Sequence, residues 1–130
     1  RWELTDSLPT GATLDVEGWY DLRQPRDLKG LVLDDIFTDL IPDADGQVRC
    51  YVDDHEQGLR TVVAFDTGQF PHVVVYTPPV PRQAICIEPY TCPTDGFNLD
   101  ARGIKCNLVS LPFGATITFR VRICQEILRE

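Results

Sequence analysis

Apolar residues occur along this chain in short runs, most of them alternating with polar ones, and no long stretch keeps a 3.6-residue period. The period of two that a half-buried strand requires is clearest at Ala115–Leu128. There Ile117, Phe119, Val121 and Ile123 face one way, and Thr116, Thr118, Arg120 and Arg122 the other. Leu59–Phe65 and Pro71–Thr77 read as Val-rich strands, Gln47–Val52 alternates, and Ile104–Leu111 is a further strand. Arg1–Thr5, with Trp2 and Leu4 on one face, and Ala12–Val16 are shorter candidates. Pro9-Thr10-Gly11, Pro42–Gly46, Asp66-Thr67-Gly68 and Pro112-Phe113-Gly114 supply turns. The acidic tip Asp53–Gly58 joins its two flanking runs as an antiparallel hairpin. Pro78–Pro81 predicts a rigid extended loop, and Pro93–Gly103 another loop. Short strands at intervals of about ten residues predict an all-β fold, an antiparallel sandwich or barrel, with 1–130 as one segment of it.

The most informative stretch is Ala84–Thr94, Ala-Ile-Cys-Ile-Glu-Pro-Tyr-Thr-Cys-Pro-Thr. Ala84–Ile87 is apolar and strand-like, and Glu88 follows at once. Pro89 is expected to stop the ladder, because proline has no N–H to donate. Glu88 would then sit at the mouth of a buried strand, with a low-dielectric wall behind it and an open side in front. That position suits a catalytic carboxylate. A solvated strand-end residue fits the same position, and since ionisable residues are mostly exposed it is the reading the residues alone favour.

Composition narrows the function. The chain is 43% apolar and 25% charged, ordinary for a globular domain, and no apolar run approaches the ~20 residues of a membrane span. A net charge of −8 argues against nucleic acid and anionic membrane surfaces as partners. The five cysteines are odd in number and scattered, which predicts reduced thiols and a cytoplasmic protein; a Cys86–Cys92 bridge stays open. The chain begins at Arg1 and contains no Met, as expected of a fragment.

Most chemical motifs are missing. There is no P-loop, no G-x-G-x-x-G and no G-x-S-x-G. Asp53-Asp54-His55-Glu56 offers metal ligands, but successive side chains of an extended tip point apart. Asp43-Ala44-Asp45-Gly46 resembles a calcium loop without its closing Glu. No metal and no cofactor is expected. His72 opens a buried strand and reads as a packed histidine. What remains is a pair of carboxylates, Asp34 or Asp35 with Glu88, each near the end of an apolar run. They would flank one pocket if their strands are sheet neighbours. Tyr76, Tyr90 and Phe97 add aromatic surface near the same loops. Carboxylates that accept hydroxyl hydrogen bonds, beside rings that cover an apolar sugar face, make a monosaccharide site.

These residues carry a family likeness. Val-Val-Val-Tyr-Thr-Pro-Pro, a short gap, then Ala-Ile-Cys-Ile-Glu-Pro-Tyr-Thr-Cys-Pro-Thr-Asp-Gly-Phe-Asn-Leu resembles the aldose 1-epimerase (galactose mutarotase) family. Leu8-Pro9-Thr10-Gly11 is similar to its Pro-Thr-Gly turn, Asp21-Leu22-Arg23 to its Asp-x-Arg element, and Leu33-Asp34-Asp35-Ile36-Phe37 to its Asp-His/Asp-x-Phe motif. The Leu-Pro-Phe-Gly-Ala-Thr stretch is similar to the turn before its final strand. Asp35 stands where many members have His, and Thr-Asp-Gly-Phe-Asn replaces the more frequent Pro-Asp-Ala-Phe-Asn.

The resemblance implies the C-terminal portion of a galactose mutarotase-like supersandwich, with the N-terminal half as partner. It implies Glu88 as the general base that takes the anomeric proton, and Asp34 as a sugar-hydroxyl acceptor. The general acid, a histidine, would lie in the N-terminal half, and neither His55 nor His72 matches it. The substrate would be an aldohexose whose α and β anomers interconvert without a cofactor. Apolar strand surface should be bare where the other half packs. The rival expectation is a non-catalytic carbohydrate-binding or interaction sandwich that uses the same acids and rings.

Overall fold

In a computed structural model, residues 1–128 form eight strands in three antiparallel sheets, one short α-helix and a single 3-10 turn at Gly18–Tyr20. β1 (Trp2–Thr5) and β2 (Leu8–Thr13) make a hairpin. β3 (Asp34–Phe37), β6 (His72–Tyr76) and β7 (Cys86–Tyr90) form a sheet in the order β3-β6-β7. β4 (Gln47–Asp54), β5 (Leu59–Asp66) and β8 (Val121–Ile127) form another, β4-β5-β8. α1 (Gly96–Ala101) is the one α-helix among the described residues. The expected all-β sandwich is what folds.

The two larger sheets pack face to face. Phe37, Val73 and Val75 from one meet Val63 and Phe65 from the other, with Leu31, Leu33 and Phe70 closing the cluster. Strand alternation sends the neighbouring residues Ile36 and Val74 to the opposite face of β3-β6-β7. There a smaller cluster forms with Trp2, Leu99 and Cys106, packed by Leu4, Tyr90, Ile104 and Leu108. The β3-β6-β7 sheet is therefore covered on both sides: by the β4-β5-β8 sheet on one, and partly by the β1-β2 hairpin and the α1 region on the other. Each fully buried aliphatic or aromatic side chain in these clusters contributes about 1.5–3 kcal/mol.

Several elements differ from the sequence expectation. The first turn is at Asp6-Ser7, both with positive φ (50° and 63°), as a two-residue hairpin loop demands. Pro9-Thr10-Gly11 consequently lies within β2 instead of turning the chain. Gly11 suits its place there because its φ of +105° lies in the region that favours glycine; a Cβ on it would also push aside the tip of the Ile104 side chain. Pro93–Gly103 contains α1, whose Leu99 is wholly buried. Ile104–Leu111 forms no strand: Asn107 has φ +59°, which breaks an extended run. Of Ala115–Leu128 only Val121–Ile127 pairs, against β5. Before it the Gln69 amide stands in for a strand partner, donating to Thr118 O (3.3 Å) and accepting from Arg120 N–H (3.0 Å).

Pro89 does not end its strand. β7 is at the edge of its sheet, where a residue without an N–H can face out of the ladder. Pairing continues from Tyr76↔Cys86 to His72↔Tyr90. Glu88 is thus in mid-strand, opposite Val74, and not at a strand mouth.

Candidate functional site

The register of the β3-β6-β7 sheet decides which residues share a face. Asp34 pairs with Tyr76, and Tyr76 with Cys86; two residues along, Ile36 pairs with Val74, and Val74 with Glu88. Paired residues on antiparallel strands point the same way. Asp34, Tyr76, Glu88 and Tyr90 consequently stand on one face, the face turned away from the larger core. β3 and β7 are not neighbours, since β6 lies between them. Two strand spacings and a two-residue offset separate the Cα atoms of Asp34 and Glu88 by roughly 12 Å. The two acids flank a cleft instead of touching.

That cleft holds about 160 Å³ and is lined by Asp34, Tyr76, Glu88 and Tyr90, with Leu4, Ser7, Ile36, Val74 and Thr94. It is small against the ~300–1,000 Å³ of pockets for drug-sized ligands. Its floor is Ile36 and Val74, and its polar groups sit on the walls.

Each acid is placed by identifiable contacts. The Thr77 hydroxyl donates to Leu31 O and accepts the Leu33 N–H, both at 2.8 Å, and Thr77 N–H donates to Leu33 O at 2.9 Å. This buried stitch fixes the entry into β3 and hence the direction of Asp34. Alternation then separates the adjacent acids. Asp34 is exposed in the cleft, whereas Asp35 is buried on the other face, where the Arg1 guanidinium meets it at 3.1 Å. Of Asp34 and Asp35, only Asp34 belongs to the cleft.

On β7, the Tyr90 hydroxyl donates to Glu88 Oε2 at 3.0 Å. Residues two apart on a strand share a face, so the spacing of Glu88 and Tyr90 builds this bond directly into the sequence. Burial raises the Tyr90 phenol above its ordinary value of 10.0; the hydrogen bond to Glu88 and the charges of Glu88 and Asp34 act in the same direction. At neutral pH Tyr90 therefore stays a donor. Its proton holds one oxygen of Glu88 in place, and Glu88 lines the cleft. An ultraviolet titration should place the Tyr90 step above pH 10, and Tyr90→Phe should remove that step.

Phe97 does not join the site. It lies on α1, 81% exposed, and is not among the residues that line the cleft. Ser7 and Thr94 do line it, and the motifs pointed to neither for this role. Ser7 comes from the β1-β2 turn, a contact no local pattern records. Thr94 closes the same eleven-residue stretch that contains Glu88.

The other candidate groups are engaged elsewhere. Asp53 takes both Nε and Nη2 of Arg60, at 2.6 and 2.7 Å. Arg49 is bound by Asp43 and Asp45, and its guanidinium holds the Asp45 carboxyl down at about 2. Asp21 and Arg23 form a forked pair at 2.8 Å, away from the cleft. Among the described residues no three His, Cys, Asp or Glu side chains converge to hold a metal ion. All five cysteines are unpaired, Cys86 and Cys92 included. No helix among the described residues is long and apolar enough to cross a membrane.

His72 is packed, as its strand context suggests. It is 2% exposed, and its Nδ1 accepts the Trp2 indole N–H at 3.4 Å. A nitrogen that accepts carries no proton, so the neutral ring holds its proton on Nε2. Burial lowers its pKa from 6.5, with weaker opposing pulls from the Cys106 backbone and Asp39. A depressed folded-state value means that the unfolded chain binds the proton first as pH falls. The stability from neutral His72 is thus complete above 6.5 and lost as pH drops through and below it. Denaturant midpoints should fall from neutral pH to about 5, and His72→Asn should flatten that slope. An unchanged slope would contradict this assignment.

No protein-family model matches the chain, and no solved structure matches it.

Proposed function

We propose that this chain is the base-bearing part of a sugar isomerase that works by acid–base ring opening, and specifically of an aldose 1-epimerase. The observation that carries the reading is the shared face of Asp34 and Glu88: two carboxylates, with Tyr76 and Tyr90 beside them, on the walls of one small cleft over an apolar floor. Glu88 takes the proton from the anomeric hydroxyl of a bound aldohexose. A general acid supplied by the N-terminal half of the protein protonates the ring oxygen, and the ring C–O bond breaks. The aldehyde turns about the C1–C2 bond, and closure on its other face gives the opposite anomer: the ring hydroxyl hands its proton back to the acid as it attacks C1, and Glu88 returns its proton to O1. No cofactor enters the scheme. Tyr90 keeps Glu88 aimed, and Asp34 accepts a sugar hydroxyl at the far wall.

The lining favours an uncharged sugar. Two carboxylates face the cleft and no Lys or Arg lines it. A phosphorylated substrate would bring further negative charge into that field. The unpaired thiols suit a reducing compartment, so we place the protein in the cytoplasm.

The test is polarimetry on freshly dissolved α-galactose and α-glucose, with this chain alone and with a polypeptide that joins it to its N-terminal half. Anomer exchange is expected only with the joined polypeptide. Tyr90→Phe should lower kcat there by roughly tenfold, the value of one hydrogen bond to a charged group. Sugar binding without any anomer exchange by the joined polypeptide would sink the enzymatic reading and leave a carbohydrate-binding sandwich.

A further inference from the structure

One wall of the cleft comes from outside its sheet. Leu4 and Ser7 of the β1-β2 hairpin line it together with Asp34 and Glu88. β1 packs beside β3, the strand of Asp34, and Glu88 lies two strands away on β7. The hairpin therefore reaches the cleft from the Asp34 side.

The turn that carries Ser7 is firmly held. Trp2 is buried, and Leu4 packs on the cluster of Ile36 and Val74. Arg102 Nη2 donates to Thr10 O, and the Thr10 hydroxyl to Glu3 Oε2, both at 2.6 Å. Thr5 pairs with Leu8, so Asp6-Ser7 is a two-residue loop, and both residues have positive φ. A loop of this kind prefers Gly at its second position, because a Cβ in the left-handed region crowds the following carbonyl. Ser7 stands there instead, at φ +63°. Its hydroxyl does nothing for the turn: among the described residues it enters no hydrogen bond, while the neighbouring bonds all run from Thr10. A strained residue whose polar atom the fold leaves unused, set on the wall of a cleft, points to a contact with what the cleft binds.

The chemistry of the two groups on this side is complementary. Ionised Asp34 only accepts a hydrogen bond, whereas the Ser7 hydroxyl also donates one. A sugar hydroxyl can donate to Asp34 and accept from Ser7 at the same time. With the anomeric hydroxyl at Glu88, the hydroxyls on the far side of the ring are those of C3 and C4.

We propose that Ser7 is a specificity-determining residue of the cleft: its hydroxyl donates to the C3 or C4 hydroxyl of the bound aldohexose, and that hydroxyl donates to Asp34. This rests on the reading of the cleft as a sugar site. A sugar that lacks the hydroxyl leaves both groups without their partner and is rejected for it.

The test is steady-state polarimetry, with calorimetric sugar binding alongside, on the polypeptide that joins this chain to the proposed N-terminal half. Ser7→Gly and Ser7→Ala should each raise KM and Kd for galactose by roughly two- to tenfold, the value of one neutral hydrogen bond, with kcat nearly unchanged. Ser7→Gly should keep the thermal midpoint or raise it, since glycine relieves the turn; a residue that served only the turn would show no change in KM. Asp6→Gly, in the same turn but not on the cleft wall, should leave KM unchanged. Either 3-deoxygalactose or 4-deoxygalactose should bind worse than galactose to the unaltered polypeptide, and Ser7→Gly should shrink that penalty by the factor it adds to KM. The penalty for 2-deoxygalactose should not change. Anomer exchange with a KM indifferent to both Ser7 substitutions overturns the inference and leaves the enzymatic reading standing. So does a coupling that falls on C2, or an Asp6→Gly variant that raises KM as much. Sugar binding without anomer exchange removes the enzymatic reading, and Kd then decides on Ser7 by the same comparisons. No sugar binding at all overturns both.

Discussion

On the proposal that Glu88 is the base, Glu88→Gln should lower kcat for mutarotation by about 10²–10⁴ in a polypeptide that joins this chain to the proposed N-terminal half, the range expected when one acid–base partner is removed. Gln keeps the size of Glu and an oxygen for the Tyr90 hydroxyl, which now reaches Glu88 Oε2 at 3.0 Å. The positioning contact survives and only the basicity is lost. KM should therefore change little. Asp34→Asn should do the reverse. Asp34 stands at the far wall, roughly 12 Å away by strand geometry, too far to share the proton transfer. In the proposed scheme its loss weakens a charged hydrogen bond to the sugar in ground and transition state alike, and KM should rise by roughly tenfold or more. Polarimetric progress curves at several sugar concentrations separate the two effects. A Glu88→Gln variant at full rate would end the proposal that Glu88 is the base, whatever the behaviour of Asp34.

The joint placement of these two residues was only conditionally legible in the sequence. Each acid lies close to an apolar run, and that is a local fact. Whether they share a face depends on the register of three strands far apart in the chain. The Asp34/Asp35 ambiguity illustrates the limit: adjacent strand residues face opposite ways, and only the pairing of Asp34 with Tyr76 tells which one reaches the cleft. By contrast, the Glu88–Tyr90 contact needs no tertiary information beyond a strand that runs through Pro89. The expectation that Pro89 ends the strand hid it. Proline stops a central strand, but β7 is an edge, and no local pattern distinguishes the two.

The hairpin of β4 and β5 was legible, because alternation, a Val-rich partner and an acidic tip agree. At the C-terminal end the same rule overreached. Ile117 and Phe119 continue the alternation of β8, but β5 provides partners only for Val121–Ile127. Phe119 instead leans on Phe70, ring centroids 5.5 Å apart, while Gln69 ties down the backbone on either side of it. Alternation reports which residues share a side; it does not report where the neighbouring strand runs out.

Phe65→Ala should be the most damaging single truncation for stability, costing about 3–5 kcal/mol. Phe65 is 0% exposed and sits in the central strand of the β4-β5-β8 sheet, on the face that meets Val73 and Val75. Its ring stands edge-on to Phe70, centroids 6.1 Å apart and planes at 84°. Backbone pairing on both sides of β5 resists collapse into the space left behind, so most of the cavity should persist. A domain of this size has only about 5–15 kcal/mol in total, and the midpoint of thermal unfolding should drop by roughly 10–20 °C. Phe97→Ala is the matched control: the same truncation at an 81% exposed helix position, expected within about ±0.5 kcal/mol. The loss should also reach the cleft. β6 carries Val73 and Val75 toward Phe65, and Val74, the cleft floor opposite Glu88, away from it. Loosening one face of that strand loosens the register that holds Asp34 and Glu88 on the other. Equal melting temperatures for the two variants would show that the two sheets are not held together at Phe65.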